Sequence, residues 1–178
     1  MTRSTRDQIL DLAEHGYRKG GFASLSYRDI AAELGIKSAS VHYHFAHKED
    51  LGKAVVERYT ANIIKALGAP DDPGESQEER LQRLANTYRA AYAEADSSCL
   101  CAVLGSVSPD LPQSVQQSVL AFFKRVLNWT ETATRGSHGF GGAHIISALQ
   151  GAMILSVATG DGSYLDRVAN DLTGRSAN

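Results

Sequence analysis

Histidine, cysteine and the hydroxyl residues mark the places where this chain could do chemistry. His42, His44 and His47 read H-x-H-x-x-H, and imidazole is a common transition-metal ligand. On a helix, residues two apart sit about 200° apart around the axis, so His42 and His44 cannot grip one ion. His44 and His47 can share a face, but no Cys or carboxylate joins them at a ligating spacing. No metal site is expected. The two cysteines, Cys99 and Cys101, are poorly spaced to bridge each other within a helix, which fits a reducing, cytoplasmic setting. No Ser-His-Asp set, nucleophile elbow or metal quartet stands out. The run Gly139-Phe140-Gly141-Gly142 lacks the strand and the Lys of a phosphate-cradling loop. The residues therefore point away from an enzyme, with no catalytic group and no cofactor.

The elements that position these residues are helical throughout. Ile9, Leu10, Ala13 and Tyr17 recur at helical spacing, and Gly20-Gly21 stop that first helix. Ser26 with Asp29 forms a short-armed capping box, with Leu25 and Ile30 as a hydrophobic staple, and the second helix ends at Gly35. A short third helix is predicted over Ser38 to Phe45 and a long fourth over Lys48 to Leu67. Residues 68–74 carry two of the four prolines and form a loop. Ser76 and Glu79 then open a helix through Glu94. Further helices are predicted over residues 98–107, 112–134, 143–159 and 163–173, with a Gly-rich break at 136–142. No alternating strand pattern, repeat or low-complexity tract occurs, so the class is all-α.

Composition agrees with a globular chain: 178 residues, 43% hydrophobic and 21% charged. No uninterrupted apolar run reaches about 18 residues, and the N-terminus lacks the apolar core of a secretory signal. No membrane span or leader is expected. The net charge of −2 argues against an indiscriminate nucleic-acid coat. Seven Lys/Arg against five Asp/Glu through Lys48, and eleven against fifteen beyond it, give a mildly basic head on an acidic body.

Within that head, Ala31, Gly35 and Val41 fall at relative positions 0, 4 and 10. A helix-turn-helix needs a small residue where its helices cross, Gly where the turn goes left-handed, and an apolar residue locking the second helix down. Ile30, Leu34 and Ile36 supply the rest of its core, leaving residues 38–45 to enter a major groove.

These residues resemble the DNA-binding domain of TetR-family regulators. The matching runs are residues 26–31 (SYRDIA), 34–36 (LGI), 40–45 (SVHYHF) and 48–51 (KEDL), over roughly residues 5–60. Lys37 stands where the family often has a capping Ser or Thr, so Ser38 is expected to cap instead. Ala39 replaces a common Gly, and His42 a common Tyr. The resemblance implies a helix-turn-helix domain over residues 1–48 and a helical ligand-binding and dimerisation domain over 49–178. Arg28 is placed to meet a guanine edge or a phosphate. Lys37, Ser38, Ala39 and Ser40, at the front of the recognition helix, offer a charge, hydroxyls and a methyl. Tyr27, His42, Tyr43 and His44 are further DNA candidates, and Lys48 matches a family phosphate contact. The partner is a double-stranded operator, read by a homodimer.

The body is expected to enclose an apolar cavity for a small effector of unread identity. Candidate lining residues are Ile63, Tyr88, Tyr92, Cys99, Leu104, Phe122, Phe123 and Trp129, the Tyr and Trp each combining an apolar body with a polar tip. An alternative within the same fold is a cysteine-based redox or electrophile sensor, with Cys99 and Cys101 activated at a helix start. The helix predicted over 143–159 has almost no polar face. In the family such a helix, the final one and their two-fold mates build a four-helix dimer interface, for which Ile145, Leu149, Ala152, Met153, Leu165, Val168 and Leu172 are the candidates.

Overall fold

Capping residues fix where the helices start and stop. In the computed structural model, which describes residues 3–95, 97–135 and 141–174, every regular element is helical. Ser4 accepts from the Asp7 amide to open α1 (Thr5–Gly20). A single 3₁₀ turn over Phe22–Ser24 follows. Ser26 and Asp29 then close a full capping box on α2 (Tyr27–Leu34), and those bonds hold the Asp29 carboxyl below the usual carboxylate range. Gly35 adopts φ +64°, a left-handed conformation that costs a residue with a Cβ but not glycine. It turns the chain into α3 (Ser38–His44).

Helix α4 (Lys48–Leu67) is opened by Asp50, which accepts from the His47 amide at 2.9 Å. The second capping box, Ser76 with Glu79, opens α5 (Gln77–Ala95). The remaining helices are α6 (Leu100–Ser106), α7 (Gln113–Ala133), α8 (Gly142–Thr159) and α9 (Ser163–Leu172). A 3₁₀ turn over Ser108–Asp110, holding Pro109, sits between α6 and α7. Among the described residues there is no strand. Most of the Gly-rich break at 136–142 lies outside the described residues.

Two compact units are present. The first joins residues up to Thr60 with Leu100–Phe122. Its core collects Ile9, Leu10, Ala13 and Tyr17 of α1 with Ile30, Val41, Leu51, Val55 and Leu104, all buried. Arg58 of α4 reaches both Asp11 (2.7 Å) and Glu14 (3.0 Å) of α1. The second joins Ala61–Cys99 with residues from Phe123 onward. There α8 packs on α9, and both meet α5. The Ser156 hydroxyl accepts from the Leu165 amide at 3.1 Å, and Arg89 of α5 holds Asp166 (2.7 Å) and Asn170 (2.8 Å) of α9.

By length and composition α8 is apolar enough to cross a membrane, the one such helix among the described residues. Core helices pass the same test, and Ile145, Ile146, Leu149, Ala152 and Met153 are buried within the fold. One expectation changes: α6 begins at Leu100 and not at Ser98. Cys99 therefore precedes the helix, and both thiols are interior, 3% and 0% exposed. A sensing thiol needs access as well as activation, and neither has access.

Candidate nucleic-acid interface

The pair α2–α3 presents an outward face because Ile30 and Ala31 of α2, Val41 of α3 and Phe45 just after it are turned inward and buried. Ala39 and Tyr43 lie two positions on either side of Val41, about 200° around a helix from it. They are exposed, Tyr43 at 86%. His42, Lys37 and Arg28 are exposed with them, while Ser38, Ser40 and His44 are half-buried at the edges. The Tyr43 ring meets His44 edge-on, with 5.2 Å between ring centroids. Among the described residues no three His, Cys, Asp or Glu side chains converge as a metal would require.

Local details redistribute several roles. Ser38 is the first residue of α3, not its cap; Lys37 occupies the cap position without a side-chain hydrogen bond. The helix is instead pinned at its far end. Tyr27 is buried, and its hydroxyl donates to the Phe45 carbonyl at 2.9 Å, while its ring meets His42 edge-on at 4.6 Å. Its polar tip is thus spent inside the protein. Lys48 is half-buried, with its ammonium 4.8 Å from the centre of the Phe22 ring. Desolvation lowers its pKa below the usual lysine value, against the opposing pull of Asp29. A partly dehydrated ammonium at a helix start is suited to meeting a phosphate.

Sequence reasoning passed over Phe22 and Gly52. A Cβ on Gly52 would lie 2.6 Å from the Phe22 ring and 3.0 Å from Val115, so α4 comes close to Phe22 and α7 because position 52 has no side chain. The signal was present as a lone Gly in a helical pattern, but its partners are not readable from local sequence. Arg6, 5.2 Å over the Phe45 ring, was missed for the same reason.

The eight residues expected to line a cavity divide between the two units. Leu104 and Phe122 belong to the first, where Phe122 tilts against Tyr59 with centroids 5.7 Å apart. The others belong to the second. There the Tyr88 hydroxyl accepts from Gln150 at 3.1 Å, and Trp129 donates to the Gly68 carbonyl at 2.8 Å. Cys99 is buried, while Ile63, Tyr92 and Phe123 are half-buried.

Among the expected dimer residues, Ile145, Leu149, Ala152, Met153 and Leu165 are turned inward and buried. Val168 and Leu172 are half-buried. The apolar residues left outside on α8 are Ile154 and Leu155, each 51% exposed, and Val157, with Tyr164 on α9. A helix apolar all round gives no sequence signal of which side its own fold takes.

Residues 9–55 match the family model described as "Bacterial regulatory proteins, tetR family". The HTH-type transcriptional repressor KstR2 of Mycobacterium tuberculosis is 30% identical over 93 residues, 52% of this chain and 44% of the repressor. The chain's match thus spans less than half the length of that curated relative. A TetR transcriptional regulator from Legionella pneumophila is similar over 99% of both chains, with 28% identity and a TM-score of 0.89. A TetR-family regulator from Agrobacterium tumefaciens is similar over 97% of both, with 28% identity and a TM-score of 0.85. Residues 9–55 thus carry the family's helix-turn-helix segment, and the chain is similar almost from end to end to solved TetR-family regulators.

Proposed function

We propose that this protein is a one-component transcriptional repressor that binds a palindromic operator as a homodimer and is released by a small-molecule effector. The observation that carries the reading is the outward face of α3: Ala39, His42 and Tyr43 exposed beside Arg28 and Lys37, opposite the buried Val41. Such a face has little to do in the fold itself and suits a major groove. Functionally the head is residues 1–48 and the sensor and dimer body 49–178, working in the cytoplasm. Arg28, Lys37, Ser38, Ala39, Ser40, His42, Tyr43, His44 and Lys48 are the DNA residues of this reading, and Tyr27 braces α3 from within.

For the dimer, the reading moves outward on α8 to Ile154, Leu155 and Val157, with Tyr164 of α9. Exposed apolar side chains clustered on one helix are what a second copy would cover. The buried thiols count against the cysteine-sensor alternative. The test is enrichment of duplexes from a random pool by the purified chain, followed by a gel shift with its own upstream region. Enrichment of a palindrome supports the reading; a chain that enriches no sequence and shows no salt-dependent binding refutes it.

A further inference from the structure

The side chains on the outward face of α2–α3 differ in how firmly the fold holds them. Arg28 and Lys37 are exposed and, among the described residues, form no ion pair. Their long chains must give up several rotors to make any one contact. Tyr43 is 86% exposed, and among the described residues its ring meets His44, its neighbour on the same helix. His42 is different. Its ring stands edge-on to Tyr27 of α2, with 4.6 Å between centroids and 68° between planes. Tyr27 is itself fixed, since it is buried and its hydroxyl donates to the Phe45 carbonyl at 2.9 Å. The imidazole thus rests on a platform supplied by another helix, yet it is exposed. Among the described residues neither of its nitrogens has a hydrogen-bond partner. All of these residues belong to the first compact unit.

A restrained ring with an unspent polar edge is suited to reading a base, because little freedom remains to be lost on contact. An imidazole N–H donates, and the negative potential of a DNA groove draws a donor outward in preference to a lone pair. In the major groove guanine offers two acceptors, N7 and O6, and no donor. Adenine sets a donor beside its N7, thymine a methyl beside its O4, and cytosine offers only a donor. Guanine is therefore the base that complements a donor in this position.

We infer that His42 is a specificity-determining residue that donates to the N7–O6 edge of one guanine in each half-site, and that Tyr27 is the positioning residue that aims it. The inference rests on the DNA-binding reading above and adds to it the class of base read.

The test uses the full chain in random-pool enrichment. Affinities are then measured on the enriched duplex with that guanine intact or replaced by 7-deazaguanine, which pairs normally but lacks the N7 acceptor. Wild type should require guanine at this position and bind the deaza duplex about fivefold more weakly. His42→Ala should lose that requirement, keep the others and bind both duplexes alike. His42→Gln should exchange guanine for adenine there, since a carboxamide matches the adenine edge. A loss of stability would weaken binding to every duplex and leave the ranking of bases unchanged. Tyr27→Leu should show a smaller ratio of guanine to deazaguanine affinity than wild type. That ratio is taken within one variant, so a lower folded fraction cancels. An unchanged base ranking in His42→Ala, or loss of a requirement for a base other than guanine, would overturn the role of His42 and leave the DNA-binding reading standing. A wild-type ratio in Tyr27→Leu would overturn the aiming role of Tyr27. A wild-type chain that enriches no duplex overturns both readings.

Discussion

The hydroxyl of Tyr27, on the first turn of α2, donates to the backbone carbonyl of Phe45 at 2.9 Å, joining the start of the helix-turn-helix to its end. Removing the donor leaves a buried acceptor alone. Tyr27→Phe is therefore expected to cost about 1–2 kcal/mol of stability, read by urea denaturation. The salt dependence of DNA binding should not change, because the hydroxyl already has its partner inside the protein. A flatter salt slope would return Tyr27 to the phosphate contacts.

Tyr17 makes the opposite case. Its ring is fully buried against Phe22, with centroids 5.4 Å apart, and its hydroxyl has no hydrogen-bond partner among the described residues. Tyr17→Phe should leave stability unchanged or raise it, because the desolvated hydroxyl gives nothing back. A loss above about 1 kcal/mol would show a partner for the hydroxyl in solution.

Both phenols also make stability depend on alkaline pH. Burial pushes the Tyr27 pKa up to about 12, with a smaller contribution from Asp50, and raises that of Tyr17 as well. The folded state thus favours the protonated phenol over the unfolded state. That contribution is complete below about pH 10, the ordinary tyrosine value, and is lost as pH rises through about 12. Denaturation midpoints measured from pH 9 to 11.5 should fall less steeply in Tyr27→Phe than in wild type.

Lys48→Ala should weaken binding to every duplex and flatten the salt dependence by roughly one ion. Substitutions of Ser38, Ser40 or Tyr43 should instead change base preference more than overall affinity, as a second round of enrichment would reveal. An unaltered slope for the Lys48 variant would assign its ammonium to Phe22 alone.

Gly52→Ala places a methyl 2.6 Å from the Phe22 ring. The ring must swing, and since Lys48 sits over it, the ammonium loses its platform as well. The expected cost is about 1–3 kcal/mol, the usual range for overpacking. Heat-induced unfolding as firm as the wild type's would mean that Phe22 yields freely.

Charge on α8 should separate two roles that its sequence confounds. Leu155→Glu, on the outside, is expected to give a folded monomer with weakened operator binding, whereas Leu149→Glu, in the interior, should unfold the second unit. Sedimentation together with the helical circular-dichroism signal distinguishes them. A dimeric Leu155→Glu would exclude this face from the proposed interface.

What was legible in the sequence was whatever local chemistry decides. Ser26 with Asp29, Gly35, and Ser76 with Glu79 mark helix ends because caps and left-handed turns need particular side chains within three or four residues, and the observed ends follow them. The exposed edge of α3 was legible because Val41 fixes its opposite. The inward side of α8 was not, since Leu149 and Leu155 are the same residue in the same apolar helix, and only the placement of α5 and α9 tells them apart. Tyr27 looked like a surface contact because its partner, Phe45, lies eighteen positions away. Arg83 of α5 looked like an ordinary charge for a similar reason: the Leu67 carbonyl it holds ends another helix, sixteen positions away.

The apolar outside of α8 also bears on how much of the protein a cell must make. If Ile154, Leu155 and Val157 join two copies and only the pair grips an operator, then below the dimer dissociation constant, and while the operator is mostly empty, promoter occupancy follows the square of protomer concentration. Halving the supply would cut occupancy about fourfold, by mass action on the assembly step. Repression would then respond steeply to gene dosage and to proteolysis, even with no effector present.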